Sequence, residues 1–571
     1  MNVRTKRPRG TVPLIAAALL ACATACTGGG SSPSASPSGS GGTGGTAKIA
    51  ASDTNPVPAA RVKNGGTLRY GLGQWVRQWN RLEVDGALQV ADAPERAFLP
   101  HMYRSDTRGN VSPDPDYLSS AKVTDTKPRQ VVTYKINPKA EWSTGDPITW
   151  KDFAAQWKAA RGTDSHYKVA STAGYERIRD VKKGKNARTV VVTFDKPFGE
   201  WLKLFDPLYP AKYTSDPDRF NSGYANKIPV TAGPYKVAKL DTSAKTLTLE
   251  RDPNWWGTRP KLNRIVFRAM KPSALTGAFA QGRLDYADIG ADAAAYQQAR
   301  AVKGAQVRRA AGVDYRTLTF SRDGILKDRR LRQAIAMGID RAGLAKADLT
   351  GLDWPVRTLD NHFFLNTQTG YRNNSGTVGS YNPQQARGML TKLGWKPGKN
   401  GVRTRHGKAL TLDFVIPEGT PASANEARAV QRTLRAIGAQ VKIRSVSSAD
   451  FLNKYLSRGD FDIAPFSWVG SPFPISAAES IYLSPKRGSP QQNYGHIGAE
   501  KSDKLIRSAA AELDIRKAHA DMNAADQVVW TNVHSLPLYQ RPDYTVTRAN
   551  LANIGSFGFQ TPDFTVMGFT R

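Results

Sequence analysis

Residues 230–257 read VTAGPYKVAKLDTSAKTLTLERDPNWWG. Apolar and polar side chains alternate in two runs, with Tyr235 and Val237 in the first and Leu247 and Leu249 in the second. Alternation with a period of two is typical of half-buried strands, and a polar link between two such runs predicts a β-hairpin. A proline after the second run ends that strand, because proline cannot donate a hydrogen bond to a neighbouring strand.

The same stretch closely resembles a segment of the family 5 extracytoplasmic solute-binding proteins, which reads G-T/A-G-P-Y and then L-x-R-N/D-P-x-W/Y-W-G. These proteins are the oligopeptide- and dipeptide-binding components of bacterial ABC importers. Periodicity alone predicts only a hairpin followed by two exposed tryptophans. The resemblance implies a framework element of a first lobe, in which Trp255 and Trp256 serve packing rather than ligand binding.

Further segments match family motifs in the family's order along the chain. The segment WSTGDPITWKDF at 142–153 resembles W-S-D-G-x-P-x-T-A-x-D-V/F, with Thr144 in place of the usual Asp. In this segment Thr149 is expected to N-cap a helix, with Asp152 as its capping-box partner. A helix predicted over 326–349 resembles D-x-R-V/L-R-Q-A-I-x-x-A-I-D-R and is expected to present its arginines on a solvated outer face.

The chain has 571 residues, of which 40% are hydrophobic, and this suits two large lobes with substantial cores. In the second half, helical patterns are followed by alternating strands, an order typical of α/β topology. The resemblance implies a two-lobe periplasmic-binding-protein-like (Venus-flytrap) fold, with a hinge between the lobes and an extra subdomain in the first lobe. The predicted divisions are a lipoprotein signal peptide at 1–26, a Gly/Ser/Pro-rich flexible linker at 27–60, lobe 1 with its subdomain at 61–315, lobe 2 at 316–537 and a return to lobe 1 at 538–571.

The N-terminus has the pattern of an export signal. A basic start is followed by an apolar segment at 12–20 that is too short to span a bilayer. The chain's two cysteines come next, and the residues before Cys22 and before Cys26 each resemble a lipobox, which precedes a lipid-modified cysteine. Leucine three positions before Cys22 favours that residue, whereas the Thr-Gly-Gly-Gly-Ser-Ser run after Cys26 favours the other as the start of a tether. With Cys26 preferred, the protein is expected to be exported and lipid-anchored on the outer face of the cell membrane.

The body beyond the signal lacks cysteine, which excludes disulfide and thiol chemistry there. The formal net charge is +33, but Lys and Arg are scattered along the chain rather than gathered in one stripe, so a nucleic-acid partner is not expected. Two interpretations of the charge remain open: a basic surface that faces anionic lipid heads or wall polymers, and a solubility feature. No later apolar run is long enough to cross a membrane.

No compact catalytic motif is present. The sequence lacks G-x-S-x-G, H-E-x-x-H and a Walker A motif, and its seven histidines show no close metal-ligand spacing. We therefore expect no catalytic residue, no cofactor and no metal site. The expected partners are a peptide or other small oligomeric ligand and the membrane permease subunits of an ABC importer, with the protein itself a monomer.

The resemblance places the ligand between the lobes, against the first strand and its following loop and against a second-lobe strand that ends in tryptophan. The expected ligand-contacting residues are Tyr70, Gln74, Trp75, Asn80, Phe320, Trp468, Gly470, Ser471, Phe473, Asn493 and Tyr494. A core tryptophan pair beside a turn is the alternative for Trp75, and a surface turn is the alternative for Asn493 and Tyr494.

The loop after Trp468 departs from the family. The resemblance implies that in family members an Asp of this loop pairs with the free α-ammonium of a bound peptide. In this chain the corresponding residue is Ser471. A buried ammonium without a carboxylate is costly, so either Glu479 substitutes or the ligand is N-blocked, a non-peptide oligomer or a sugar. The expected function is capture of peptides or similar solutes for import; a ligand-sensing receptor of the same fold and a secreted enzyme on a two-lobe scaffold are the alternatives.

Overall fold

The computed structural model describes residues 49–485 and 491–570, so the predicted signal peptide, both cysteines and linker residues 27–48 lie outside the described residues. The described strands are β1 (Thr67–Leu72), β2 (Tyr103–Ser105), β3 (Val111–Pro113), β4 (Leu118–Asp125), β5 (Val131–Ile136), β6 (Ile178–Lys183), β7 (Thr189–Phe194), β8 (Tyr235–Asp241), β9 (Thr246–Arg251), β10 (Arg264–Ala269), β11 (Tyr286–Asp288), β12 (Ala305–Phe320), β13 (Lys396–Pro397), β14 (Arg403–Arg405), β15 (Lys408–Ala409), β16 (Thr411–Pro417), β17 (Gln440–Val446), β18 (Ile463–Val469), β19 (Ser535–Arg548), β20 (Leu551–Ala552) and β21 (Gly568–Phe569). The described α-helices are α1 (Asp92–Phe98), α2 (Trp150–Ala160), α3 (Ala211–Thr214), α4 (Pro217–Ser222), α5 (Pro272–Ala280), α6 (Ala293–Arg300), α7 (Arg329–Met337), α8 (Arg341–Asp348), α9 (Pro383–Lys392), α10 (Pro421–Arg435), α11 (Ser448–Asp450), α12 (Pro474–Tyr482), α13 (Glu500–Ala511) and α14 (Ile515–Asn532). Within these described ranges, no helix combines the length and the apolar character needed to cross a membrane.

A large sheet runs through both lobes, with its strands in the order β17-β16-β18-β12-β19-β11-β1-β10-β9-β8. The second lobe supplies β17, β16 and β18 on one side of the β12–β19 pair, and the first lobe supplies the strands from β11 to β8 on the other side. Strand β1 is parallel to β10 and β11, and β16 is parallel to β17, whereas β12 is antiparallel to both of its neighbours. This mixed sheet, flanked by helices, is an α/β architecture.

Strands β12 and β19 carry the chain between the lobes. They pair antiparallel along most of their length, but the register slips between Ala311 and Tyr315 of β12, where β12 has extra residues relative to β19. Such a bulge bends a strand, so residues 312–314 are the candidate hinge. The predicted lobe boundaries at 315/316 and 537/538 fall inside these two strands and stay predictions.

The lobes and the subdomain each have a hydrophobic core. In the second lobe Phe414 and Leu434 are fully buried between the sheet and its helices, and in the first lobe Phe98 is fully buried. The subdomain consists of a sheet in the order β4-β5-β7-β6 with α2 packed against it, and Tyr134 and Phe153 are fully buried in its core. Each such leucine or phenylalanine side chain contributes roughly 1.5–3 kcal/mol on full burial.

Strands β8 and β9 form the predicted hairpin, and β8 is the edge strand of the large sheet. After the hairpin, the indole N–H of Trp256 donates to the carbonyl oxygen of Asp116 at 2.7 Å. The rings of Trp255 and Trp256 both lie 5.8 Å from the ring of Tyr117, measured between centroids. Both tryptophans therefore join the hairpin to the subdomain, in agreement with the packing role predicted for them.

The prediction of one arginine-rich helix over 326–349 is wrong, because α7 and α8 are separate helices with a break at residues 338–340. Asp340 N-caps α8 by accepting a hydrogen bond from the amide of the third helical residue. The expected solvated face is also wrong in part, since Arg332 and Arg341 are only 4% and 5% exposed. Both guanidinium groups donate to backbone carbonyl groups of other segments, and this satisfies acceptors that burial would otherwise leave unpaired.

Residues 49–60, assigned to the linker by their composition, follow a defined course across β12. The carboxylate of Asp53 pairs with the guanidinium of Arg308 at 3.2 Å, and the amide of Ala311 donates to the carbonyl oxygen of Ala50 at 2.8 Å. Small polar residues resemble a linker in composition, but here they form hydrogen bonds with the body. The folded body therefore begins earlier in the chain than composition predicts.

A buried ion pair fixes the helices of the second lobe to β12. Arg316 donates through Nε and Nη2 to the two carboxylate oxygens of Glu426 on α10, at 2.7 and 2.5 Å. Glu426 is fully buried and Arg316 is 8% exposed. Asp348 on α8 lies beside this pair and accepts a hydrogen bond from the hydroxyl of Tyr539 at 3.2 Å. Burial, and then the charge of Glu426, raise the pKa of Asp348 to about 7.

The pKa of Asp348 predicts a pH-dependent stability. Because its folded pKa of about 7 lies above the ordinary value of 3.8, folding favours the protonated carboxyl. The resulting stabilisation is complete below the unfolded pKa and is lost as the pH rises through the folded pKa. We expect Asp348→Asn to lack this decline, which is on the order of 4 kcal/mol in the unaltered protein. Urea unfolding at about pH 4, 6 and 8 measures the difference, and parallel pH profiles of the two proteins would contradict the assignment.

Candidate ligand-binding cleft

The cleft lies between the lobes, which contact each other at several points around it. The ring of Tyr103 in the first lobe meets the ring of Phe473 in the second lobe edge-on, with 4.8 Å between centroids. The amide of Thr369 in the second lobe donates to the carbonyl oxygen of Arg108 in the first lobe at 3.0 Å. The two walls are therefore closed on one another, as in the closed state of a hinge-bending protein.

Two of the predicted aromatic residues meet on the second-lobe wall. The rings of Trp468, on β18, and Tyr494 are stacked, with centroids 6.0 Å apart and an angle of 4° between their planes. Phe466 meets Trp468 edge-on at 5.2 Å. Trp468 and Tyr494 are half-buried, and burial raises the pKa of the Tyr494 hydroxyl. The result is a broad aromatic surface that keeps a neutral hydroxyl at its edge.

The loop after Trp468 is fixed to the hinge. The amide of Gly470 donates to the carbonyl oxygen of Val313 at 2.6 Å, and a Cβ at this position would lie 2.8 Å from the same oxygen. The hydroxyl of Ser471 accepts from the amide of Phe473 at 3.1 Å, and the carbonyl of Ser471 accepts from the side chain of Gln368 at 2.9 Å. Phe473 is 2% exposed. The loop is therefore bonded directly to the candidate hinge at residues 312–314.

Two predicted contact residues of the second lobe have no exposed surface. Phe320 is fully buried in the main core of that lobe. Asn493 is also fully buried, and its amide donates to the carbonyl groups of Leu483 and Ile497 at 2.9 and 2.8 Å. The structure gives both residues a structural role, because neither strand alternation at Phe320 nor motif position at Asn493 reveals which side chains face the ligand.

In the first lobe, Tyr70 and Gln74 differ in exposure. Tyr70 is 8% exposed and its ring lies 4.2 Å from the ring of Tyr286. Burial raises the pKa of the Tyr70 hydroxyl, which stays protonated. Gln74 follows β1 and is exposed. Of these two predicted residues, Gln74 offers the more accessible polar group.

Trp75 and Asn80 lie in the segment after β1. Trp75 is half-buried and meets Trp79 edge-on, with 6.3 Å between centroids, while Trp79 itself is fully buried. Asn80 is 2% exposed and donates through Nδ2 to the carbonyl oxygen of Phe220 at 2.8 Å. The amide of Asn80 is therefore used inside the lobe, and Trp75 belongs in part to a core tryptophan pair.

The structure adds a charged group beside Tyr103 that the sequence reasoning did not single out. Asp92 accepts from Arg96 at 2.9 Å and from Arg81 at 2.6 Å, and the guanidinium of Arg96 lies 5.8 Å from the centroid of the Tyr103 ring. Burial alone would raise the pKa of Asp92, but the two guanidinium groups lower it below its usual range. The Arg96–Asp92 pair, four residues apart on α1, was the signal available in the sequence.

A second charged group that the sequence reasoning did not single out lies on β12 and β19, the two strands that connect the lobes. Asp314 on β12 pairs with Arg541 on β19 at 2.8 Å. Burial, followed by the charges of Asp288 and Asp314, raises the pKa of Asp543 well above its usual value. Arg541 and Asp543 are two residues apart on β19. This spacing places both side chains on one face of a strand, and it was the signal available in the sequence. Across the part of the chain that the structure describes, no cluster of three or more His, Cys, Asp or Glu side chains is arranged to hold a metal ion.

Glu479, the candidate substitute for the missing Asp, is engaged elsewhere. Its carboxylate pairs with the guanidinium of Arg177 across the lobes at 3.2 Å, and its side chain is 4% exposed. Because its carboxylate already pairs with Arg177, Glu479 does not replace the missing Asp as counter-charge for a ligand ammonium group.

Comparison with known proteins gives matches that extend over most of the chain. The family model described as bacterial extracellular solute-binding proteins, family 5 middle, matches residues 113–489. The oligopeptide-binding protein OppA of Mycobacterium tuberculosis is 38% identical over 525 residues, which cover 91% of this chain and 87% of OppA.

Solved structures match the same two-lobe fold. The periplasmic EDTA-binding protein EppA superposes with a TM-score of 0.80 at 26% identity, covering 93% of this chain and 100% of EppA. The oligopeptide-binding protein AppA from Bacillus subtilis, in complex with a nonapeptide, superposes with a TM-score of 0.71 at 18% identity, covering 89% of this chain and 100% of AppA. The predicted two-lobe α/β fold is confirmed, and these relatives are binding proteins and not enzymes.

Proposed function

Because the chain belongs to family 5 of the bacterial extracellular solute-binding proteins, we propose that it is the lipid-anchored, monomeric capture component of an ABC importer. It closes two lobes over a peptide and delivers the peptide to the membrane permease, with Cys26 as the anchored residue. The observation that carries this proposal is the cleft itself, whose aromatic wall and loop are joined through Gly470 to the bulged strand between the lobes.

Capture requires no chemistry. The free protein samples open and closed arrangements by bending at residues 312–314, and a ligand that contacts both walls shifts the population towards the closed one. Trp468 and Tyr494 supply apolar contact area on the second-lobe wall, and Gln74 supplies an accessible polar group on the first-lobe side. A peptide backbone held by polar groups and aromatic faces binds with little dependence on side-chain identity.

A non-peptide solute is the second candidate, and Ser471 favours it. Without an acid at that position, the loop offers a hydroxyl already bonded to a backbone amide instead of a carboxylate for an ammonium group. EppA, with 26% identity, is named for EDTA, so a relative of this fold is described as taking a ligand that is not a peptide.

Identification of the natural ligand tests both candidates. We expect native mass spectrometry of the protein purified from its own cells to show an added mass, and denaturation to release peptides of mixed sequence. Calorimetry with released and synthetic peptides then measures their affinity. Recovery of one non-peptide compound would support the second candidate, and uptake of labelled ligand by vesicles that contain the permease separates an import role from a sensing role.

The role of position 471 predicts a gain of affinity. In Ser471→Asp, one carboxylate oxygen replaces the hydroxyl as acceptor for the Phe473 amide and the other is available to a ligand ammonium. We expect the Kd for a peptide with a free N-terminus to fall about tenfold, because charge-assisted hydrogen bonds are roughly twice as strong as neutral ones. Calorimetry measures this change, with Ser471→Asn as the uncharged control and the N-acetylated peptide as the ligand control. An equal change for both peptides, or no gain, would contradict the position assigned to this loop.

A further inference from the structure

Helix α12 of the second lobe faces the subdomain of the first lobe, beyond the cleft. We propose that α12, Arg177 and the turn at residues 199–203 form an interlobe latch that holds the lobes closed and adds the same increment of affinity to every ligand. This inference rests on the proposed capture function, but it concerns a surface separate from the aromatic wall. It also predicts behaviour of the protein without any ligand.

The contacts of the latch come from one face of α12. Ser476 and Glu479 lie three residues apart, so their side chains are neighbours on the helix surface. The ammonium group of Lys203 donates to the Ser476 hydroxyl at 3.1 Å, and that hydroxyl donates to the carboxylate of Glu200 at 3.3 Å. Arg177 donates through Nη2 to Glu479 at 3.2 Å. Each of these bonds joins the two lobes and is lost when they separate.

Burial makes these contacts specific to the closed arrangement. Glu200 and Ser476 are each 2% exposed, and the side chains of Glu479 and Arg177 are 4% and 16% exposed. Burial raises the pKa of Glu200 well above its usual value. The charge of Lys203 opposes this rise, and the charge of Glu479 adds to it. Opening the lobes returns these groups to water and breaks the pair between Arg177 and Glu479, whereas Arg177 keeps Glu176 at 3.7 Å and the carbonyl oxygen of Pro197 at 3.2 Å as partners within the first lobe. Removing the charge of Glu479 therefore weakens closure, because the mostly buried guanidinium of Arg177 loses its counter-charge from the other lobe.

A close backbone contact adjoins the polar ones. The amide of Gly199 donates to the carbonyl oxygen of Ala510, at the end of α13 in the second lobe, at 3.2 Å. A Cβ on Gly199 would lie 2.4 Å from the carbonyl oxygen of Glu512. The first lobe thus approaches the second so closely that any side chain at 199 meets backbone. Since this backbone belongs to the other lobe, the collision arises only on closure.

The position of α12 couples the latch to the ligand site. The helix begins at Pro474, directly after the loop that carries Ser471, and Phe473 at the junction contacts Tyr103 of the first lobe. A ligand that orders this loop also places α12 against the subdomain. The latch itself contains no residue of the aromatic wall, so its contribution does not depend on which ligand is bound.

Two variants test the latch in different ways. Glu479→Gln removes the charge that pairs with Arg177, and Gly199→Ala introduces the steric collision with the second lobe. The matched control is Arg179→Met, which removes an exposed pair with Asp195 that lies within the first lobe at 3.1 Å. Small-angle scattering without ligand measures the closed fraction, and calorimetry measures Kd for two peptides of unlike sequence.

We expect both latch variants to have a larger radius of gyration without ligand, and a Kd about tenfold higher for the two peptides alike. That factor corresponds to about 1.4 kcal/mol of closure free energy. The double variant Arg177→Glu with Glu479→Arg restores the pair and should recover most of the affinity. Unequal factors for the two peptides, or an unchanged radius in both variants, would overturn the latch. If no peptide binds the unaltered protein, the proposed function fails. The radius of gyration measured without ligand then still shows whether the latch holds the lobes closed.

Discussion

Replacement of Arg316 by methionine is expected to lower the free energy of unfolding by about 3–5 kcal/mol, the usual cost of breaking a buried ion pair by removing one partner. Glu426 is fully buried and receives two hydrogen bonds from Arg316, so the variant leaves a carboxylate without a counter-charge. Asp348 lies beside Glu426, and the negative charge of Glu426 then raises the pKa of Asp348 further because Arg316 no longer opposes it. Urea unfolding at neutral pH measures the loss.

The double variant Arg316→Met with Glu426→Leu is the control for this expectation. Replacing a whole buried pair by apolar side chains of similar volume is often neutral, so most of the lost stability should return. If the single and the double variant are equally unstable, then packing by the arginine side chain, and not its charge, fixes the helices to β12.

Replacement of Trp468 by alanine is expected to raise the Kd for a captured peptide about thirtyfold. The indole ring stacks on Tyr494 and forms the broad apolar part of the second-lobe wall. Truncation of a central aromatic residue in an interface costs about 2 kcal/mol or more, which corresponds to this factor. Calorimetry with a peptide that binds the unaltered protein measures the change.

The control separates ligand contact from packing. Trp468 is half-buried, so alanine also removes packing inside the second lobe, and urea unfolding records that loss independently. Trp468→Phe keeps an aromatic face and should recover much of the affinity. A destabilised alanine variant with an unchanged Kd would show that Trp468 serves only the core.

Features that depend on neighbouring residues in the chain were predictable from the sequence. The hairpin of β8 and β9 follows from alternation and a polar turn, and α2 begins where the Thr149–Asp152 capping box requires. Both signals are local, because strand alternation and helix caps are decided within a few residues. The two-lobe arrangement came from the family resemblance and not from these local patterns.

Features that depend on distant partners were not predictable in this way. The first half of β12 shows no alternating pattern typical of a strand, because it contains Arg308, Arg309 and Gly312 and acquires its order by pairing with β19. Arg332 and Arg341 resemble solvated charges in the sequence, but each satisfies backbone carbonyl groups far along the chain. Their burial is a property of the assembled lobe.

The candidate site shows the same limit. Trp468, Ser471 and Tyr494 were located through motif position, and the structure places them around one loop and one stacked pair. Asn493 is the neighbour of Tyr494 and Phe320 ends β12, which pairs with the strand of Trp468, yet both side chains are fully buried inside the lobe. Motif position therefore predicts the segment, and the fold decides which of its side chains reach the cleft.

The course of the N-terminal segment has a mechanical consequence. The Ala50–Ala311 hydrogen bond lies next to the bulge at 312–314, so the chain enters the body at the pivot between the lobes. With the proposed lipid at Cys26, a pull from the membrane acts on the body close to the candidate axis of rotation and not at the far end of either lobe. Rotation of either lobe about residues 312–314 then changes the position of this entry point little.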